Sequence, residues 1–222
     1  MVTNMVFVDT LAIELLFISM TTIMILYLTV DAYIRYRTTD GANIVEYLKD
    51  GIMPIALIGG LILIFGIYSD LTWPLQINSP SAAANSAFAG YNLLFFDPLV
   101  LMGIVTLSFA ITVKYGHRLQ TFGIMALYSG VFSMYYGWMG YLQNKSSEPF
   151  DMFLMYVAFG AVGILSYPLT LMADYSRYAS KGVMKNITLL ILILFWIALV
   201  GSAVASGYIG YSAIGQHMGS AP

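Results

Sequence analysis

Residues 95 to 142 read FFDPLVLMGIVTLSFAITVKYGHRLQTFGIMALYSGVFSMYYGWMGYL, two apolar runs joined by a short basic turn. The first run, from Asp97 to Thr112, has no charged residue after its opening aspartate. The second, from Thr121 to Leu142, has none at all. Each run is about the length of a membrane span, roughly 20 residues for a hydrocarbon core of about 30 Å. The stretch therefore predicts a transmembrane helical hairpin with its turn, KYGHR, in the cytoplasm.

The composition extends this prediction to the whole chain. Of its 222 residues 59% are hydrophobic and only 9% are charged, against about 25% charged residues in a soluble domain. The sequence predicts a single polytopic membrane domain, residues 1–222, whose surroundings are the lipid bilayer. The net charge of -2 gives no reason to expect a nucleic-acid partner.

Six apolar segments follow one another along the chain, and they predict an all-α bundle of six transmembrane helices. The predicted helices run from about Phe7 to Ala32, Ile52 to Tyr68, Asp97 to Thr112, Thr121 to Leu142, Phe150 to Met172 and Ile187 to Tyr211. They group into hairpins at about 7–72, 93–143 and 150–211. Residues 73–92 are predicted to be an outer loop that can hold one short helix, from Pro80 to Ala89. Residues 44–48 are predicted to form a short interfacial helix, and residues 212–222 a loose tail.

The basic residues test this topology. Eight of the nine lysines and arginines fall in the loops after the first, third and fifth predicted helices, and only Lys145 falls on the other side. Cytoplasmic loops carry such an excess of Lys and Arg. The pattern predicts a multi-pass protein of the cytoplasmic membrane with both termini outside.

The three hairpins share short motifs in the same order. Each odd helix opens with an apolar residue and an aspartate, at Asp9, Asp97 and Asp151, and each even helix opens with Gly-aliphatic-Met, at residues 51–53, 123–125 and 182–184. Two interpretations remain open: triplication of one hairpin, or features common to all membrane hairpins.

The acidic residues supply the candidate site. Asp9, Asp97 and Asp151 are interpreted either as helix N-caps, with Pro98 in the first turn after Asp97, or as carboxylates that converge on the outer face. Glu14 lies inside an apolar run, where an acid should face the bundle interior or the outer headgroups. Glu14, Asp97, Asp151 and Asp9 together form the candidate solute or cation site.

Two stripes of small residues concern packing. Ser129, Ser133 and Gly137 on the fourth predicted helix, and Ser202, Ser206 and Gly210 on the sixth, recur every four residues. Small residues at this spacing let helices approach closely in lipid. They are predicted to pack the interior, with the lining of a narrow polar path as the alternative.

Several chemistries lack support in the sequence. The chain has no cysteine, and its two histidines, His117 and His217, fall on opposite predicted faces, so no metal or cofactor is predicted. No Ser/His/Asp set or phosphate loop is apparent, which disfavours an enzyme. Asn144 begins a glycosylation sequon in an outer loop, and the sequence leaves its use open.

The segments DAYIRYRTTDG, FFDPL and MALYSGVFSMYYGWMGYL resemble an uncharacterised archaeal family of multi-span membrane proteins. The resemblance implies an archaeal cytoplasmic membrane and lends no site residues. Two functions are expected: movement of a small solute or cation through the bundle, gated by the outer carboxylates, or a non-catalytic role in a larger membrane complex or homo-oligomer.

Overall fold

The computed structural model describes residues 10–39, 43–72, 82–146, 148–175 and 185–219, and these contain helices and no strand. The all-α prediction is confirmed for this part of the chain. The helices are α1 (Thr10–Thr38), α2 (Ile44–Leu48), α3 (Ile52–Thr72), α4 (Ala82–Lys114), α5 (Gln120–Leu142), α6 (Pro149–Tyr175) and α7 (Lys185–Gly219), with a 3₁₀ turn at Lys49–Gly51 between α2 and α3.

Five of the helical segments are long and apolar enough to cross a membrane. They are Thr10–Thr38, Ile44–Leu71, Leu93–Lys114, Pro149–Tyr175 and Thr188–Gly215. The predicted fourth span, α5, carries no charge but falls short of the apolarity of the other five, because serine, glycine and tyrosine recur along it.

The six long helices form a ring in chain order. Each packs against the helix before and after it, and α7 closes the ring against α1. We call the contact surface between two neighbouring helices a seam. The seams alternate in extent around the ring: α3–α4, α5–α6 and α7–α1 are extensive, whereas α1–α3, α4–α5 and α6–α7 are smaller. The extensive seams are therefore not those of the predicted hairpins, which pair α1 with α3, α4 with α5 and α6 with α7.

Glycines allow two of the extensive seams to close. A Cβ atom placed on Gly163 of α6 would lie 2.5 Å from the carbonyl oxygen of Ala126 and 2.7 Å from Cα of Gly130, both on α5. A Cβ on Gly103 of α4 would lie 2.5 Å from the backbone nitrogen of Leu63 on α3. Backbone atoms cannot move aside as side chains do, so only glycine fits at these contacts.

Two predicted boundaries are wrong. Helix α4 begins at Ala82 and continues through Asp97 and Pro98, so the short helix predicted at residues 80–89 is not separate from the third predicted helix, and Asp97 is not an N-cap. Helix α7 continues to Gly219, so much of the predicted loose tail is helical as well.

The bundle has two chemically different ends. The basic end is where α1 and α4 finish and α3 and α5 begin, and the acidic end, which holds Glu14, Asp70 and Asp97, is opposite. At the basic end Arg35 bridges Asp31 and Asp50, with nitrogen–oxygen distances of 2.9 Å to each. Short helix α2 lies under this end and buries Val45 and Leu48 in the core, as its apolar spacing predicts.

A carboxylate from α6 caps α5 at the basic end. Oδ2 of Asp174, a buried residue, accepts a hydrogen bond of 3.1 Å from the backbone N–H of Gln120, the first residue of α5. A free N–H at a helix start is one of the groups that needs such a partner. Asp174 thus joins the end of α6 to the start of α5.

Candidate functional site: the central cavity

A cavity of about 260 Å³ lies among α1, α4, α5, α6 and α7. On α1 its wall runs from Leu11, at the acidic end, to Arg37, at the basic end. Among the described residues none on α3 lines it, because α3 packs outside the cleft between α1 and α4, where Ile58 and Ile62 contact Ile18.

The cavity wall is mainly apolar, and several hydroxyls on it are already engaged. Thr22, Thr29, Ser166 and Ser202 donate to backbone carbonyls four residues earlier, at 2.7–3.0 Å. Ser133 donates across the seam to the carbonyl of Tyr156 at 3.4 Å. A hydroxyl has one donor hydrogen, so these groups do not offer it to a bound molecule, and the wall behaves as a nearly apolar surface.

Two hydrogen bonds join neighbouring helices at the acidic end of the cavity, and we call this pair the acidic-end closure. The first is donated by the hydroxyl of Tyr156 on α6 to the carbonyl of Leu94 on α4. Pro98 explains why that carbonyl is free: it stands four residues after Leu94 and has no N–H with which to continue the helix ladder. In the second, the hydroxyl of Tyr136 on α5 donates to Oδ2 of Asp97 at 3.0 Å.

Asp97 is therefore a hydrogen-bond acceptor between two helices. The charge of Asp70, on α3, lies close enough to interact with that of Asp97. The structure thus brings Asp97, Asp70 and Tyr136 together beside the acidic end of the cavity, although neither aspartate lines its wall.

Glu14 lies nearby but faces α3 instead of the cavity. Its side chain is fully buried, and Oε1 accepts a long hydrogen bond of 3.4 Å from Ser69. Its other oxygen, Oε2, has no hydrogen-bond partner among the described residues. A buried carboxyl oxygen without a partner is costly, and this makes Glu14 an unusual feature of the bundle.

The other predicted site residues lie apart from this group. Asp151 is exposed in the first turn of α6, where its charge favours the helix N-terminus. Asp9 lies outside the described residues. No set of three or more histidine, aspartate or glutamate side chains that could hold a metal ion occurs in the part of the chain that the structure describes.

The small-residue stripes divide between packing and the cavity. Gly137 lies against the Tyr156 side chain on α6, and Gly210 of α7 lies against Ala12 and Leu15 of α1. Ser206 is fully buried and donates to the carbonyl of Ser202.

Three members of the stripes belong to the cavity. Ser129, Ser133 and Ser202 line its wall, although Ser133 also contacts α6.

At the basic end the cavity reaches the surface beside Arg37, whose side chain is exposed. Tyr36 is half-buried there, and the ring of Tyr33 stands edge-on to Trp196 at 5.9 Å between ring centres. The indole N–H of Trp196 donates to Thr29 at 3.0 Å, which fixes this aromatic pair. The cavity thus has an exposed cationic residue in its lining at one end and two interhelical hydrogen bonds at the other.

A family model described as "Protein of unknown function (DUF981)" matches residues 5–220. The chain belongs to the DUF981 family. No curated protein and no solved structure matches it. The predicted membership of a family of unknown function is confirmed, whereas an archaeal source and a cytoplasmic membrane stay predictions for this DUF981 protein.

Sequence reasoning missed the tyrosines of the acidic-end closure of the DUF981 cavity. Tyr136 was interpreted as a membrane-interface anchor, because interface tyrosines are common in membrane helices, and Tyr156 was not singled out. One signal was available for Tyr156: a proline inside an apolar run frees a carbonyl, and a buried tyrosine is a suitable donor to it.

Proposed function

We propose that this DUF981 protein is a six-span membrane protein that carries a small solute through its central cavity. The observation that supports the proposal best is the cavity itself, which extends from the exposed Arg37 at one end to two interhelical hydrogen bonds at the other. A transporter needs a binding space whose two ends open alternately. The basic end faces the cytoplasm in this proposal, and both termini face outside.

Asp97 has the role of gate residue in this mechanism. When Tyr136 and Tyr156 release their acceptors on α4, the α4–α5 seam can widen and expose the cavity at the acidic end. The seam favours such a movement, since it is less extensive than the α3–α4 and α5–α6 seams on either side. Glu14 is the remaining candidate for a proton or cation ligand, because its Oε2 atom has no described partner.

The cavity wall narrows the class of solute. A cation would require several oxygen ligands, but the carboxylates of Glu14, Asp97 and Asp151 are not on the wall. We therefore propose an apolar or amphiphilic solute instead of a free metal cation.

Thiol labelling tests the proposed access. The natural chain contains no cysteine, so Ser129→Cys places a single thiol on the cavity wall. A small membrane-impermeant sulfonate reagent is added to either side of sealed vesicles. We expect labelling from the basic side, and labelling from the acidic side only after Tyr136→Phe or Asp97→Asn is added.

Val204→Cys is the matched control, because Val204 is exposed on the outer surface of α7 and is not part of the cavity wall. This thiol should resist the reagent from both sides. Equal labelling of Ser129→Cys from both sides before the gate is changed would contradict the proposed closure.

A second function, as part of a membrane complex or homo-oligomer, is favoured by the outward face of α5. Tyr128 and Tyr135 are 61% and 60% exposed, and Trp138 shares this face. Tyrosine hydroxyls facing lipid away from the interfaces lack partners, so a neighbouring helix would satisfy them. Oxidative cross-linking of Tyr128→Cys in native membranes should give a dimer or a defined heteromer, and a purely monomeric product would remove this alternative.

A further inference from the structure

The central cavity is long as well as apolar. Its wall on α1 extends from Leu11 to Arg37, which at about 1.5 Å of rise per residue is roughly 39 Å. Because a volume of about 260 Å³ is distributed over a length of that order, the average cross-section of the cavity is small. Such an average cross-section suits one extended hydrocarbon chain.

The engaged hydroxyls support the same class of ligand. With their hydrogens donated to carbonyls, Thr22 and Ser166 present methyl, methylene and oxygen atoms to the cavity. A hydrocarbon chain loses nothing in contact with this wall, whereas a polar solute would leave its own donors and acceptors without partners.

The open end of the cavity adds a positive charge. Arg37 lines this end and is exposed. In contrast, Arg35 is occupied by Asp31 and Asp50, and Lys49 lies 3.0 Å from Glu46.

Arg37 forms no salt bridge with any residue that the structure describes. Asp174, a buried acid on α6 at this end, accepts a hydrogen bond from the N–H of Gln120. Arg37 is thus placed to meet a ligand.

We propose that the cavity binds a single-chain amphiphile whose anionic headgroup, a phosphate or a carboxylate, pairs with Arg37. The guanidinium group presents paired donors that match both headgroups. The chain then lies along α1 between α4 and α6, with its end near the acidic-end closure. This inference rests on the proposed function for its biological meaning, but binding can be measured without transport.

Displacement of a fluorescent polyene fatty acid from the full-length protein in detergent tests the proposal. The probes are hexadecyl phosphate, hexadecanoic acid and hexadecanol, which share a chain and differ in the headgroup. We expect one site per chain and at least tenfold tighter binding of the two anions than of the alcohol, as one charge-assisted contact implies.

Two variants separate the headgroup from the chain. Arg37→Gln should weaken the binding of both anions by about tenfold and leave the binding of hexadecanol unchanged. Arg118 is also exposed near this end but lies outside the cavity wall, so Arg118→Gln should leave the binding of all three probes unchanged. Ser129→Phe fills the cavity and should abolish binding of all three probes. Val131→Phe, on the exposed side of the same helix, should not.

Two results would overturn the inference: equal binding of all three probes with no effect of Arg37→Gln, or full binding to folded Ser129→Phe. Because Arg37 is exposed, Arg37→Gln tests the headgroup even if Ser129→Phe fails to fold. Failure of probe binding together with the expected thiol labelling would leave the proposed transport standing without this ligand. Probe binding without acidic-side labelling of the gate variants would leave an amphiphile-binding protein that does not transport.

Discussion

The α5–α6 and α4–α5 seams share a helix and differ in almost every other respect. At the α5–α6 seam the two backbones approach so closely that Gly130 and Gly163 have no room for a side chain. At the α4–α5 seam the rings of Phe109 and Phe122, 5.1 Å apart between centres, separate the two helices. At the acidic end of this seam Tyr136 of α5 donates a hydrogen bond to Asp97 of α4. Close packing in this ring follows the glycines and not the shortness of the connecting turn.

The difference assigns separate roles to the two seams. Where backbones touch at glycines there is no side chain that could change its rotamer to let the helices shift, so the glycine seams should behave as rigid pairs. A seam held by large side chains and a hydrogen bond can change its width at much lower cost. The movable boundaries of the cavity are therefore expected at α4–α5 and not at α5–α6.

Gly163→Ala should have the largest effect on stability, because its methyl group would meet backbone atoms of Ala126 and Gly130. Overpacking of this kind costs about 1–3 kcal/mol, and backbone partners place it near the upper end. Unfolding in mixed micelles measures the change in the free energy of unfolding.

Gly60→Ala is the matched control, since a Cβ at Gly60 of α3 meets nothing within 4 Å. Alanine at this position should be neutral or should stabilise the protein by about 0.5–1 kcal/mol. Equal effects of the two changes would show that the close approach has no energetic weight.

Tyr156→Phe should have an intermediate effect, a loss of about 1 kcal/mol, because it leaves the carbonyl of Leu94 without a donor. A double-mutant cycle sharpens this prediction. In a Pro98→Ala background the backbone N–H of residue 98 can serve Leu94, so Tyr156→Phe should then cost clearly less. Additive effects of Tyr156→Phe and Pro98→Ala would show that the tyrosine hydrogen bond does not compensate for the N–H that the proline lacks.

Asp97→Asn should have the smallest effect on stability, about 0.5 kcal/mol, because an amide oxygen can still accept from Tyr136 at the looser seam. Tyr136→Phe removes the donor and should cost somewhat more. Both are measured by the same unfolding titration. A loss above that of Gly163→Ala would contradict the assignment of α4–α5 as the movable seam.

The sequence predicts the helices better than their arrangement. Apolar length locates α3, α5 and α6 to within a few residues, because the length of each apolar run predicts one helix independently of the others. The dipeptide Asp97-Pro98 misled the prediction of α4, since a proline inside a helix needs a donor from elsewhere, and Tyr156 lies on another helix.

Helix pairing was harder still to predict. It depends on glycines such as Gly130 and Gly163 facing one another, and spacing along a single helix does not show which neighbour a glycine faces. The cavity results from this pairing, so the sequence predicted candidate acids near it without indicating its apolar wall.

The hydrogen bond from Gln120 to Asp174 joins residues 54 positions apart. During synthesis the beginning of α5 leaves the ribosome well before its acceptor exists. We therefore expect the first turn of α5 to lack this acceptor until α6 packs beside it. One carboxylate thus sets an order of assembly: the first turn of α5 gains its side-chain acceptor only when α6 packs against it.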